Sequence, residues 1–211
     1  VLASKGGILP PLPYDQSRAY LTSAIEASLR RLRTERIDLY QIHRPDILAH
    51  PAEVARTLED AVAAGKIGQV GVSNFTIHQI EALQHFLSVP LASTQPEISP
   101  LRIIPFENGE LDQALRLSLR PLAWSPLGGG RLLAPESERD LAVAQALDEV
   151  HADDRSVAAL SWLMAHPAGI IPILGTQRPE RIAAAAAART VRWTRQQWYA
   201  VLVAARGERL P

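Results

Sequence analysis

Six apolar runs in this chain each stop at a polar residue or a polar turn. VLAS ends at Lys5, IDLYQI at His43, QVGV at Ser73 and Asn74, LAST at Gln95, PLAW at Ser125, and GIIPIL at the turn Gly175-Thr176-Gln177-Arg178. Ammonium, imidazole, hydroxyl, carboxamide and guanidinium groups together can orient a small polar molecule, polarise it and move a proton. Each also has an ordinary structural use: a terminal lysine as a surface charge, Ser-Asn as a helix cap, a glycine turn as a connector. His43 stands between the two readings, a packed strand residue with its nitrogens satisfied locally or a hydrogen-bonding group aimed above the sheet. Caps and turns explain so varied a set of polar groups at six successive strand ends poorly. The pattern points to one site assembled from strand tips.

Strand tips converge only if the strands are parallel, and the segments between the runs have the period that parallel strands require. After Ser17, the residues Leu21, Ile25, Leu29 and Leu32 recur at spacings of four and three, which predicts a helix with that face inward. Pro51 opens the next helix where its missing N–H is not needed, with Val54, Leu58 and Val62 on one stripe and Gly65 as a left-handed stop. Further helices are predicted at about 76–87, about 111–117, in segments over 138–165, from Pro179, and over 194–206. The alanine run 183–188 is high helix propensity rather than low complexity. Strands alternating with helices across short loops imply right-handed crossovers, in an open doubly wound sheet or a closed barrel. The open dinucleotide-binding sheet would carry G-x-G-x-x-G after its first strand, and none is present; the glycines at 128–130 follow a late strand at the wrong spacing. The expected fold class is therefore α/β, a (β/α)8 TIM-type barrel with its site at the strand tips, forming one domain over residues 1–211.

Composition narrows the function classes. With 47% hydrophobic and 21% charged residues among 211, the chain can bury a large single core. Lysine plus arginine equals aspartate plus glutamate at 22 each, so no long-range field recruits nucleic acid or an anionic membrane. The run Arg30, Arg31 and Arg33 reads as the solvated face of a helix. Without cysteine there is no disulfide framework, thiolate nucleophile or Cys-ligated zinc. No signal peptide or membrane-length apolar run is evident, and a cytoplasmic location is expected.

The segments SKGG, IDLYQIHRPD, GKIGQVGVSNF, QPEISPL, LAWSPLGGGRL and IIPILGTQRPERI span nearly the whole length and together resemble the aldo-keto reductases, in particular their bacterial NADP-dependent oxidoreductase branch. The resemblance implies a (β/α)8 barrel that binds NADPH across the strand tips and reduces aldehydes or ketones by hydride transfer. It aligns Lys5 with the catalytic lysine and His43 with the catalytic histidine. Ser73, Asn74 and Gln95 match the groups that hydrogen-bond the nicotinamide carboxamide, and Trp124 the aromatic that stacks on the nicotinamide. Ser125, Leu127, the backbone of Gly128 through Gly130, and Arg131 are implied for the pyrophosphate. Gly175, Thr176, Gln177 and Arg178, with Arg181 one turn later, are implied for the adenosine 2′-phosphate, where a guanidinium fork suits a dianion and favours NADP over NAD. The chemistry fits these residue types. Hydride delivery leaves negative charge on the carbonyl oxygen, which needs hydrogen-bond and proton donors fixed in advance. Two side-chain amides can satisfy both ends of a carboxamide, and an indole supplies a flat wall. Where the family carries acidic and amide side chains against adenine, this chain has Ala184 and Ala185, which implies a weaker adenine grip.

In the family the lysine lies on the third barrel strand, and the proton-donating tyrosine and the aspartate that pairs with the lysine come earlier. A complete barrel runs to about 250 residues, so the chain is expected to hold about six of the eight βα units, incomplete at its N-terminal side. Among the tyrosines, Tyr40 has the strand parity opposite to His43 and should point away from it. Tyr20 and Tyr199 fall on predicted helices, which leaves Tyr14, in the loop after Lys5, as the one substitute donor. The expected function is an NADPH-dependent reductase of aldehydes or ketones, with a small carbonyl compound as its partner, neither nucleic acid nor membrane, and a monomeric state when complete. The chain alone is expected to be inactive and prone to associate. The alternative is a non-catalytic NADP-binding or scaffold protein that kept the cofactor site and lost the proton donor.

Overall fold

The computed structural model describes residues 1–11 and 13–210. They divide into two compact units, the first Val1–Gln95 with Arg116–Leu119, the second Pro96–Leu115 with Arg120–Pro211.

The first unit alternates strands and helices: β1 (Ala3–Gly6), α1 (Arg18–Leu32), β2 (Ile37–Ile42), α2 (Pro51–Ala63), β3 (Ile67–Ser73), α3 (Ile77–Phe86) and β4 (Leu91–Gln95). The strands are parallel and pair in chain order. The helices begin as the sequence expects, with Ser17 accepting from the Tyr20 N–H, Pro51 in the first turn of α2, and a reciprocal capping box between Thr76 and Gln79. Leu21, Ile25 and Leu29 are buried on α1, but Leu32 is 41% exposed. It ends the helix, and Arg33 turns left-handed directly after it, so the last turn leaves the core.

One face of this sheet meets the helices. Ser4 of β1 hydrogen-bonds Ser28 of α1 (3.2 Å), and its register partners are Tyr40 and, beyond it, Val70. Residues of the other parity therefore point away from α1. Tyr40 accordingly faces the helix side, buried, with its hydroxyl over Gly6 and close to Ala24. That hydroxyl has no hydrogen-bond partner among the described residues, and burial pushes its pKa up. An unpaired buried hydroxyl is destabilising. Tyr40→Phe should therefore leave stability unchanged or raise it by about 1 kcal/mol in urea unfolding; a clear loss would show that the hydroxyl is bonded in solution.

The second unit contains α4 (Glu110–Leu117, its last two residues in the first unit), β5 (Arg120–Ala123), α5 (Glu138–Asp148), α6 (Arg155–Met164), β6 (Ile171–Pro172), α7 (Pro179–Ala185) and α8 (Arg195–Arg206). Its core is apolar and aromatic. The indoles of Trp162 and Trp198 stack at 4.7 Å and 12°, and each N–H donates to the other residue's carbonyl, at 3.0 and 3.1 Å. Arg139 clamps the unit from within, donating to Ala205 O (2.6 Å) and Leu101 O (3.0 Å). β5 and β6 are parallel. The apolar run GIIPIL yields only two strand residues because Pro172 has no N–H to offer a ladder; Ile173 still donates to Ala123 O (2.9 Å).

Candidate active site

Register places the first-unit candidates on two successive rungs of one face. The lower rung is Lys5, Gln41, Gly71 and Ser93, each the register partner of the next. On the upper rung Ser73 pairs with Gln95, and His43, one residue beyond β2, still donates its backbone N–H to Gly6 O (2.8 Å). Lys5, His43, Ser73 and Gln95 thus share the face turned away from α1, and Tyr40 does not, as parity requires. Asn74 has a left-handed backbone, φ 58°, a conformation that asparagine tolerates better than most residues. It donates from Nδ2 to Ser73 Oγ (2.9 Å) and His43 O (3.3 Å), while Ser73 Oγ donates to Gln95 O (3.0 Å). The tips of β2, β3 and β4 are therefore tied into one cluster. The carboxamide of Gln95 is itself not hydrogen-bonded within the cluster.

The loop after His43 is equally fixed. Buried Gln16 donates from Nε2 to Arg44 O (2.5 Å), and the Asp46 carboxylate accepts from the backbone of Gln16 and Leu48. Burial lowers the pKa of the His43 imidazole below its ordinary value, and the charges of Lys5 and Arg44 lower it further. Burial also lowers the pKa of Lys5. No carboxylate pairs with Lys5 among the described residues. At neutral pH His43 is thus an uncharged imidazole suited to donating a hydrogen bond. The unfolded chain takes up the proton first, at about 6.5, so the contribution of His43 to stability declines as pH falls below that value and through the lowered folded-state pKa. Lys5→Met removes one of the opposing charges, and the His43 pKa, followed by NMR titration, should rise while staying below the free value. An unchanged pKa would place the ammonium away from the ring.

In the second unit, β5 ends where Trp124 donates its N–H to Pro96 O (3.2 Å) and accepts from Ile98 N–H (3.4 Å). Ser125 follows with φ 53°, and Gly128, Gly129 and Gly130 all have positive φ. A Cβ on Gly128 would meet Leu101 Cδ1 at 2.9 Å, a contact that a small shift of that side chain relieves, so it is the positive φ that favours glycine there. The N–H groups of Gly128 and Gly130 are used inside the turn, donating to Ser125 O and Leu127 O. A ligand therefore meets mainly the bare backbone of this turn. Leu127 packs against the core. Arg131 is partly engaged, with Nε 3.4 Å from Gly128 O and 3.8 Å from the buried carboxylate of Asp140. Further on, Thr176 Oγ1 accepts from Arg178 N–H (3.2 Å), and Arg178 pairs with Glu180 at 2.6 Å on the surface. Arg181 forms no direct ion pair among the described residues; the Glu180 carboxyl is held low by its own backbone N–H and by Arg178, with the Arg181 charge adding to them. Gly175 and Gln177 lie in the same segment, between β6 and α7, with Gln177 exposed.

The model of the aldo/keto reductase family matches residues 1–202. This chain belongs to the aldo/keto reductase family. It is 68% identical, over its whole length and 70% of the relative's, to a 6-dehydroglucose reductase of Novosphingobium aromaticivorans. A second 6-dehydroglucose reductase, from Agrobacterium fabrum, is 39% identical over 92% of this chain and 66% of its own length. The crystal structure of an aldo/keto reductase from Klebsiella pneumoniae in complex with NADP and acetate matches 95% of the chain and 68% of its own with a TM-score of 0.80 at 24% identity. The likeness shows that the fold class is that of the TIM-type barrel, as the strand–helix alternation implies. Among the described residues, no helix of this reductase-family chain is long and apolar enough to cross a membrane.

Two residues of the site face lie outside any reading based on strand ends, because they sit mid-strand. Gln41 and Ser93 are 1% and 2% exposed and form the floor beneath His43 and Gln95. Parity is the signal that finds Gln41: it precedes His43 by two. Tyrosine is absent from both rungs. Tyr20 donates to Ile8 O (2.7 Å), Tyr14 is a loop residue 39% exposed, and Tyr199 sits on α8 beneath the Arg195 guanidinium.

Proposed function

We propose that this chain carries the hydrogen-bonding and cofactor-binding groups of an NADPH-dependent reductase that converts an aldehyde or ketone to an alcohol. Its leading substrate is 6-dehydroglucose, the sugar aldehyde named for the 68%-identical relative. The observation that carries the reading is the pair of rungs: a neutral imidazole and a half-buried ammonium share a face with a tied Ser73–Asn74–Gln95 cluster. The residues fit NADP. Gln95 offers an amide not used within the cluster, the Ser125–Gly130 turn offers close approach, and Arg178 and Arg181 offer guanidinium groups near the surface. When bound, the nucleotide supplies the hydride.

In this reading Ser73, Asn74 and Gln95 orient the nicotinamide carboxamide and Trp124 supplies its wall. Ser125, Leu127, Gly128, Gly130 and Arg131 hold the pyrophosphate. Gly175, Thr176, Gln177, Arg178 and Arg181 receive the 2′-phosphate. His43 donates its ring N–H to the carbonyl oxygen, and this hydrogen bond strengthens as charge grows there. Lys5 adds a positive field beside the group that delivers the proton, a role that the family resemblance gives to a tyrosine and that none of the residues on the two rungs fills. The test is NADPH consumption by the full-length protein, with 6-dehydroglucose and with an aromatic aldehyde lacking hydroxyls. The sugar aldehyde should be turned over with the higher kcat/KM. Tight nucleotide binding with no carbonyl reduced would favour the non-catalytic alternative.

A further inference from the structure

On the lower rung, Gln41 does more than fill space. Its Nε2 donates across β3 to Ser93 Oγ on β4 (3.3 Å) and to Val72 O (3.4 Å). Because a carbonyl can only accept, the second bond fixes which end of the amide points there. The bridge closes only because residue 71 lacks a side chain: a Cβ would lie 2.2 Å from Ser93 Oγ and 3.1 Å from Gln41 Cγ. Ser93 in turn reaches this rung through an irregularity in β4. Val70 pairs with Leu91 but Gly71 pairs with Ser93, which leaves Ala92 as an extra residue. Three separate features, a buried amide, a glycine and a bulge, converge on one cross-strand strap directly below His43 and beside Lys5.

Resting on the reading of the site given above, we infer that Gln41 is a positioning residue for the reduction, strapping the floor of the Lys5–His43 face to β4 across Gly71. Val72 O, held from below, immediately precedes Ser73, and Gln41 is two residues before His43. The strap therefore links the segments that carry the upper rung, and its polar but water-excluding floor helps keep His43 and Lys5 desolvated. The Ser73–Asn74–Gln95 cluster has its own hydrogen bonds and does not depend on the strap for its internal geometry.

The test is a double-mutant cycle of Gln41→Ala and Ser93→Ala in the full-length protein, read as kcat, KM for NADPH, and the NMR-determined pKa of His43. Each single substitution should lower kcat roughly tenfold, and the double variant should fall little further, since both break one bridge. KM for NADPH should hold within about twofold, as expected when the lost interaction acts on the chemical step. The His43 pKa should rise toward about 6.5 as water enters beneath the ring. Ser93→Ala removes a single oxygen, so it keeps the question decidable if Gln41→Ala does not fold. Additive losses in kcat, or a lower melting temperature with kcat and the His43 pKa unchanged, would overturn the inference. A shifted His43 pKa in a protein that reduces no carbonyl would support the strap and sink the proposed function instead.

Discussion

Replacing His43 with alanine in the full-length protein should lower kcat for aldehyde reduction by about 10²- to 10³-fold, the scale of losing one oriented donor to a developing oxyanion. The expectation follows from three properties of the site. The imidazole is uncharged at neutral pH because burial and two cationic neighbours disfavour protonation. Its backbone is held on both sides, by His43 N–H to Gly6 O and by Asn74 Nδ2 to His43 O, so the ring is presented without reorganisation at the moment of reaction. It lies one rung above Lys5, whose charge is felt at the ring. Lys5→Met should produce a loss of similar order, about 10²- to 10⁴-fold, through the group whose proton it tunes. NADPH affinity should change little in either variant. Retention of full turnover in His43→Ala would remove the imidazole from the chemistry and leave the face as a nucleotide grip only.

The second large effect concerns cofactor choice. Unmutated protein should bind NADPH more tightly than NADH, and Arg178→Ala with Arg181→Ala should erase the difference, a change of roughly 10²-fold if two charge-assisted hydrogen bonds to the 2′-phosphate are lost at about 1.5–3 kcal/mol each and only partly additively. The Arg178–Glu180 pair is no obstacle. Both side chains are about 60% exposed, and a solvent-screened surface pair of this kind holds its partners weakly, so a phosphate dianion can displace the carboxylate. Glu180→Ala should accordingly tighten NADPH binding slightly. Equal affinity for the two nucleotides in unmutated protein, measured by fluorescence titration, would remove these arginines from cofactor recognition.

Much of this site was legible because strand ends are chemically conspicuous. Lys5, His43, Ser73 and Gln95 stand out against apolar runs, and the period-2 rule correctly turned Tyr40 to the helix side. The strap was not legible. Gln41 reads as one polar residue inside a buried strand, and nothing local says that Gly71 leaves room for it or that β4 slips by one residue to meet it. Those are pairing facts, set by which strands become neighbours. Likewise, Pro172 shortens the run GIIPIL to two ladder residues, and Leu32 leaves the core because the helix stops there. Arg131 matched a phosphate-binding pattern, yet its tie to buried Asp140 depends on where α5 lands.

The extra residue in β4 sets the phase of the strand. Upstream of Ala92, Leu91 keeps step with Val70 on the helix side; without the bulge, the two-residue alternation would carry Ser93 and Gln95 to that side as well. If Ala92 instead joined the regular alternation, the strap and the carboxamide grip would be withdrawn together, whereas deleting Ala92 would remove the bulge and leave Ser93 and Gln95 in phase with Gly71 and Ser73. Inside β4 a one-residue deletion should therefore be tolerated at Ala92 and not at Thr94, where it would carry Gln95 to the helix side. The evolutionary freedom of the site then lies in side chains that can be exchanged at fixed phase.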